Sequence, residues 1–224
     1  MNKRQLVLIT CDDGYTEGFK TLMAIAQERW GKACVKAVMP FGDHSGMGSA
    51  CTLSRSICVF GTRTDNVAEL GVAGFPLDCV RYGIWKYKPT LVLVGVNRGA
   101  NLGLNLISSS TFCCAALAAE HGIPAIAFSQ HVDGEGEKHA SSEIHITEAL
   151  DACFDLHKML CNVNLHNVEK QYRGIKFAYD NTGRGGYLDV ISEKDGLVSI
   201  QREFKVVDQL DRWLVGGYTV IQSW

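Results

Sequence analysis

The order in which this chain opens, an apolar run of strand length, a helical repeat and a second apolar run, constrains its fold more than any other feature. QLVLITC at residues 5–11 is the first run. Residues 16–30 place Phe19, Leu22, Met23, Ile25 and Ala26 at roughly helical spacing, and Gly31 stops the helix. VKAVMP at 35–40 reads as the next strand. Such a β-α-β opening predicts a parallel sheet with right-handed crossovers. The pattern returns as a helix over 76–87, a buried strand over 89–96, a helix over 108–122 and a strand over 123–129. The expected class is α/β, a Rossmann-like and mostly parallel sheet with helices on both faces.

Between these repeats, 41–50 is a glycine-rich loop and 51–75 predicts two or three short strands. Beyond residue 130 the character changes: 131–143 is polar, 144–160 predicts a helix, and the remainder predicts short strands separated by Gly and Asn turns. Residues 1–130 are therefore expected to form the α/β core and 131–224 a smaller α+β extension of one domain. The 22 basic residues nearly balance the 24 acidic ones, with no run of Lys or Arg, so no nucleic-acid polymer or membrane surface is an expected partner. Nine cysteines without a C-x-x-C pair read as small reduced residues of a cytoplasmic protein. A strand pattern within five residues of the start leaves no room for a signal peptide.

Ligands of an open parallel sheet bind beyond the carboxyl ends of its strands, and three loops expected there are unusual. The first is Asp12-Asp13-Gly14, where a dinucleotide-binding turn would place glycines. Two unit charges about 4 Å apart interact by about 4 kcal/mol at an effective dielectric near 20, so a phosphorylated ligand needs a cation between itself and this pair. Oxygen ligands favour a hard ion such as Mg, Mn or Ca. On a straight strand the two acids would point to opposite faces, so a shared site requires the chain to bend here. The second loop, His44-Ser45-Gly46-Met47-Gly48, offers a hydroxyl, a histidine and exposed amides. The third runs from Gly95 to Asn105 with Asn97, Arg98 and Asn101, and enters a helix at Ser108-Ser109-Ser110-Thr111. Amide oxygens, a guanidinium and a helix start together make an anion site. His139 and His145 read as solvated.

The segments ITCDDG, FGDHSGMGSACTL, GFPLDCVRYG, KPTLVLVGVNRGANLG and SSSTFCCAALAAEHGIPAIAFS, with the later GIKFAYDNTG, together resemble the SurE family of metal-dependent survival-protein phosphatases, also called 5'-nucleotidases. The resemblance implies that Asp12, Asp13, Ser45 and Asn97 hold one divalent cation per subunit. It implies that Asn101, Ser109 and Thr111 lie around the phosphate; Gly46 of the second loop and Arg98 of the third are read beside them as further phosphate-binding candidates. It further implies hydrolysis of nucleoside monophosphates, in some members also of short polyphosphate, by a homodimer or homotetramer, with Asp12 or Asp13 handling the proton. Two positions depart from the family pattern: Cys11 stands where Asn is usual, and Ser108-Ser109-Ser110-Thr111 where Tyr-Ser-Gly-Thr is usual. These departures raise a second expectation, a metal- and nucleotide-binding regulatory protein with weakened turnover. A nicotinamide-dependent oxidoreductase would suit the sheet but not the acidic first loop.

Overall fold

The computed structural model describes residues 5–64, 67–132, 143–166, 171–178, 187–194, 197–204, 212–214 and 218–224. In chain order its elements are β1 (Val7–Thr10), α1 (Glu17–Trp30), β2 (Val35–Pro40), β3 (Val59–Thr64), β4 (Val67–Val72), α2 (Pro76–Tyr87) and β5 (Leu91–Arg98). There follow α3 (Ser110–Glu120), β6 (Ala125–Gln130), α4 (Glu143–Asp155), β7 (Leu160–Leu165), β8 (Ile175–Ala178), β9 (Tyr187–Lys194), β10 (Leu197–Phe204) and β11 (Thr219–Ser223).

Nine strands form one sheet in the order β3-β4-β2-β1-β5-β6-β7-β11-β8, while β9 and β10 pair as a separate antiparallel ribbon. All pairings in the large sheet are parallel except β3 with β4 and β7 with β11. The sheet is therefore of the mostly parallel α/β kind that the opening pattern predicts. The chain's last strand inserts between β7 and β8, so segments from both sides of residue 130 complete one sheet. Among the described residues no helix is long and apolar enough to cross a membrane.

Period-two alternation sorts the core onto two faces. Val7 and Ile9 of β1 pack with Phe19 and Leu22 of α1 and with Ile146 and Leu150 of α4, whereas Leu8 packs with Val80 of α2 and Cys114 and Ala118 of α3. Burying each such side chain stabilises the fold by about 1.5–3 kcal/mol. Six of the nine cysteines are buried and all nine are free thiols. Thr16 caps α1 by accepting from the Phe19 amide at 3.2 Å, and Gly31 ends the helix at φ 86°.

Three boundaries differ from the expected ones. The helix expected over 108–122 is a 3₁₀ turn over Gly103–Ser108 followed by α3, because the Ser109 hydroxyl accepts from the Phe112 amide and restarts the helix. The helix expected over 144–160 ends at Asp155. His157 takes the left-handed conformation at φ 51°, and Leu160 already belongs to β7. The strand expected over 89–96 continues to Arg98, which carries Asn97 and Arg98 to the sheet edge on a strand rather than a loop.

Candidate active site

The strand order reverses direction between β1 and β5, and the crevice at a parallel sheet's carboxyl edge opens at such a point. The three unusual loops meet there. After Thr10 the backbone leaves the strand and turns, so Asp12 and Asp13 both serve the crevice instead of alternating across the sheet. Asp13 ties the loops together: its Oδ1 accepts from Ser45 Oγ at 2.6 Å and its Oδ2 from the Arg98 amide at 2.8 Å. Asp12 is buried, and its Oδ1 accepts from Thr111 Oγ1 at 2.6 Å. The His44 amide donates to the Asp12 carbonyl at 2.8 Å, and Ser110 Oγ donates to the His44 carbonyl at 3.1 Å.

Close backbone approach makes this junction possible. A Cβ on Gly95 would lie 2.2 Å from the Phe128 carbonyl oxygen, and the residue sits at φ 122°, where the register of β5 against β6 shifts. Past this bulge the Asn97 side chain points its Nδ2 at the Gly99 carbonyl, 2.8 Å away, which leaves Oδ1 for a ligand.

The resulting cleft has a volume of about 180 Å³ and is walled by Asp12, Ser45, Gly46, Asn97, Arg98, Asn101 and Ser109, with Asn105 and Ser108 among its other residues. Seven of the nine side chains singled out in the sequence thus line one cavity. Asp13 sits beside it through Ser45, and Thr111, fully buried, supports Asp12 from behind. Ser109, which lines the cavity, is the N-cap of α3 and so stands at the positive end of the helix dipole.

Burial, and next the Asp13 carboxylate, push the Asp12 carboxyl up to about 7 against the lowering effect of the Thr111 hydroxyl. A hard divalent cation suits this donor set, since carboxylate, amide and hydroxyl oxygens are its preferred ligands and its charge would relieve the crowding of the acids. Among the described residues no group of three or more His, Cys, Asp or Glu is arranged to hold a metal. Of the departures from the family pattern, Ser108 lines the cavity, whereas Cys11 and Ser110 are engaged elsewhere. Cys11 is buried with its Sγ 3.9 Å from the Val96 carbonyl, and burial, with Asp12 and Asp13 nearby, raises its thiol well above the usual range. Ser110 gives its hydroxyl to His44.

Several residues that support the cleft were not singled out in the sequence. Asp43 Oδ1 accepts from the Ser45 amide at 2.8 Å, an Asx turn legible in the D-x-S-G spacing, and lies 2.5 Å from Ser45 Oγ, where it competes with Asp13 for the single hydroxyl proton. Asn101 is gripped from β6 and β7: its amide donates to Asn164 Oδ1 at 2.7 Å, its Nδ2 to Ser129 Oγ at 2.8 Å, and its carbonyl accepts from Asn162 and Asn164. The alternating Asn162 and Asn164 in an otherwise apolar strand were the available signal. His139 lies outside the described residues. His145, expected in solvent, instead packs against His166 and Tyr172 with ring centroids 4.5 and 4.1 Å away.

Fold and cleft together define an α/β protein of the doubly wound type whose switch-point crevice is lined by an acid, asparagines, serines and an arginine. The model of the Survival protein SurE family matches residues 7–185, and the chain belongs to that family. It is 34% identical over 203 residues to a 5'-nucleotidase SurE of Syntrophotalea carbinolica, covering 84% of this chain and 75% of that protein. A 5'-nucleotidase SurE of Neisseria gonorrhoeae is 36% identical over 181 residues, 76% of this chain and 69% of its own length. The crystal structure of the SurE protein from Aquifex aeolicus superposes with a TM-score of 0.77 over 98% of this chain and 92% of its own, at 23% identity, a likeness of fold.

Proposed function

We propose that this protein is a phosphomonoesterase that hydrolyses nucleoside 5'-monophosphates with the help of one divalent cation, Mn, Mg or Ca. The observation that carries the reading is the convergence of Asp12, Asp13, Ser45 and Asn97 on the same crevice as Asn101 and the Ser109 helix start. The names of the similar nucleotidases support the substrate class. A cation held by Asp12, Asp13, Ser45 and Asn97 would supply Lewis-acid polarisation of the phosphoryl group and offset the charge of the acids.

The chain's own groups do the rest. Ser109 has its oxygen engaged by the Phe112 amide, so its proton is free to donate to a phosphate oxygen at the positive end of the α3 dipole. Arg98 and the Gly46 backbone, which also line the cleft, bind the equatorial oxygens, where charge grows in the transition state. The braced Asn101 backbone fixes the floor between them. Asp12, held by Thr111 and lining the cavity, is the group placed to take a proton from the attacking water. Cys11 and Ser110 are engaged away from the cavity, so of the three changes that raise the alternative of a binding protein without turnover only Ser108 lines the cleft.

A phosphate-release screen over mononucleotides, short polyphosphate and sugar phosphates, with Mn, Mg, Ca or chelator in parallel, tests the reading. Release from mononucleotides with a divalent cation is expected. Calorimetric binding of nucleotide without release under any metal would replace the reading with a regulatory one.

A further inference from the structure

A second cavity opens one crevice along the same edge of the sheet. It measures about 280 Å³, lies where β2 and β4 end and α2 begins, and is walled by Phe41, His44, Arg55, Gly74 and Phe75. In the order β4-β2-β1-β5 its centre stands two strand spacings, ~10 Å, from the crevice between β1 and β5. Its chemistry is unlike that of the acidic cleft. No acid lines it, and Asp78 at the start of α2 is taken up by Thr52 and the Phe75 amide.

The rings are placed and accessible. Phe41 lies over Gly71, where a Cβ would come within 2.6 Å of it, meets Phe60 edge-on at 5.4 Å, and is still 55% exposed. Phe75 meets the His44 ring edge-on at 6.0 Å. His44 Nδ1 is 3.1 Å from the Gly42 carbonyl, which can only accept; Nδ1 therefore carries the proton and Nε2 of the neutral ring is left as an acceptor. Arg55 is exposed and adds a fork of donors. Aromatic faces, one acceptor and a planar donor group suit a flat heteroaromatic ring that carries both kinds of hydrogen-bonding group on its edge, which describes a nucleobase.

The two cavities share one loop. The His44 backbone is bonded to Asp12 and Ser110, and the next residue is Ser45. We propose that the second pocket holds the base of a nucleotide whose phosphate occupies the acidic cleft, with Phe41 and Phe75 against the ring faces and His44 and Arg55 reading its edge. That the partner group is a phosphate rests on the phosphomonoesterase reading; recognition of the base does not require turnover.

The test uses nucleosides, which carry no phosphate. Adenosine and guanosine are titrated into the full chain by ligand-observed NMR and calorimetry, with wild type, Phe41→Ala and Arg55→Ala compared after their melting temperatures are matched. Saturable binding by wild type is expected, weakened at least fivefold in each variant. The kcat/KM preference for a mononucleotide over ribose 5-phosphate should fall by a similar factor, mainly through KM. Absence of nucleoside binding by wild type, or equal binding by the variants, overturns the proposal. So does a change in sedimentation without a change in nucleoside affinity, which would assign the pocket to a second copy of the chain. Failure of every ester to release phosphate would count against the reaction alone, while the nucleoside titration still decides the pocket.

Discussion

Two polar clusters on the carboxyl edge of one sheet are built on opposite terms. Around Asp12, Asp13 and Ser45, carboxylates converge across three loops, and burial beside a second acid holds the Asp12 carboxyl at about 7. Around Asn101, Ser129, Asn162, Asn164 and Gln222 there is no charge, and amides and a hydroxyl close on one another at 2.7–2.9 Å. The second cluster is closer to what folding alone favours, buried polar groups that are neutral and mostly hydrogen-bonded, with Asn162 Oδ1 the exception among the described residues. The first stores electrostatic repulsion that folding would discard. On the proposed function the difference has a reason: the neutral brace fixes the backbone under the substrate, and the crowded acids wait for a cation.

The largest expected effect tests the acid cluster. Chelation should lower phosphate release from a mononucleotide by about a thousandfold, ~4 kcal/mol of barrier, and excess manganese should restore it; release that ignores chelator would break the comparison. Next comes the strand between the clusters. Gly95→Ala drives a Cβ against the Phe128 carbonyl from a positive φ and should cost ~3 kcal/mol or more in urea unfolding.

The brace gives a smaller effect. Asn164→Ala leaves the Asn101 amide without its partner and should cost about 1–3 kcal/mol, with activity falling because Asn101 shifts. A variant with unchanged stability and activity would show that the brace does not position the floor.

The smallest effect asks whether the neutral side refuses charge. His166 follows β7, is buried, and among the described residues neither ring nitrogen has a hydrogen-bond partner. Burial, then His145, lower its pKa to about 4. Below the ordinary value of about 6.5 the unfolded chain takes a proton that the native state refuses, so this residue's contribution is fully present above pH 6.5 and is lost as pH falls toward 4. The loss between pH 7 and pH 5 is about 2 kcal/mol. Denaturation curves of His166→Phe at the two pH values should show a correspondingly smaller drop than those of wild type.

Much of this was legible in the sequence, because local signals specify it. Thr16 and Gly31 bound α1, the alternation of Val7, Leu8 and Ile9 fixes two packed faces, and the acids, glycines and asparagines mark three strand-end loops. The remainder depends on strand order, which periodicity does not encode. Asn162 and Gln222 lie 60 residues apart in sequence and meet only because β11 inserts beside β7, and their 2.9 Å bond could not be foreseen from either strand. The overrun of α4 has a local cause, since nothing in the composition of 156–160 announces a left-handed His157. Thr111, which the family resemblance groups with the phosphate contacts, gives its hydroxyl to Asp12, a bond between residues 99 apart that no local pattern announces.

The most direct measurement pairs activity with stability in Asp12→Asn. The amide keeps an acceptor for Thr111 while removing the buried charge beside Asp13. The account predicts that manganese-dependent phosphate release is abolished, while the melting temperature in chelator equals or exceeds that of wild type. A variant that keeps its phosphate release, or that unfolds more easily in chelator, would contradict the claim that this carboxylate is retained for chemistry at the expense of stability.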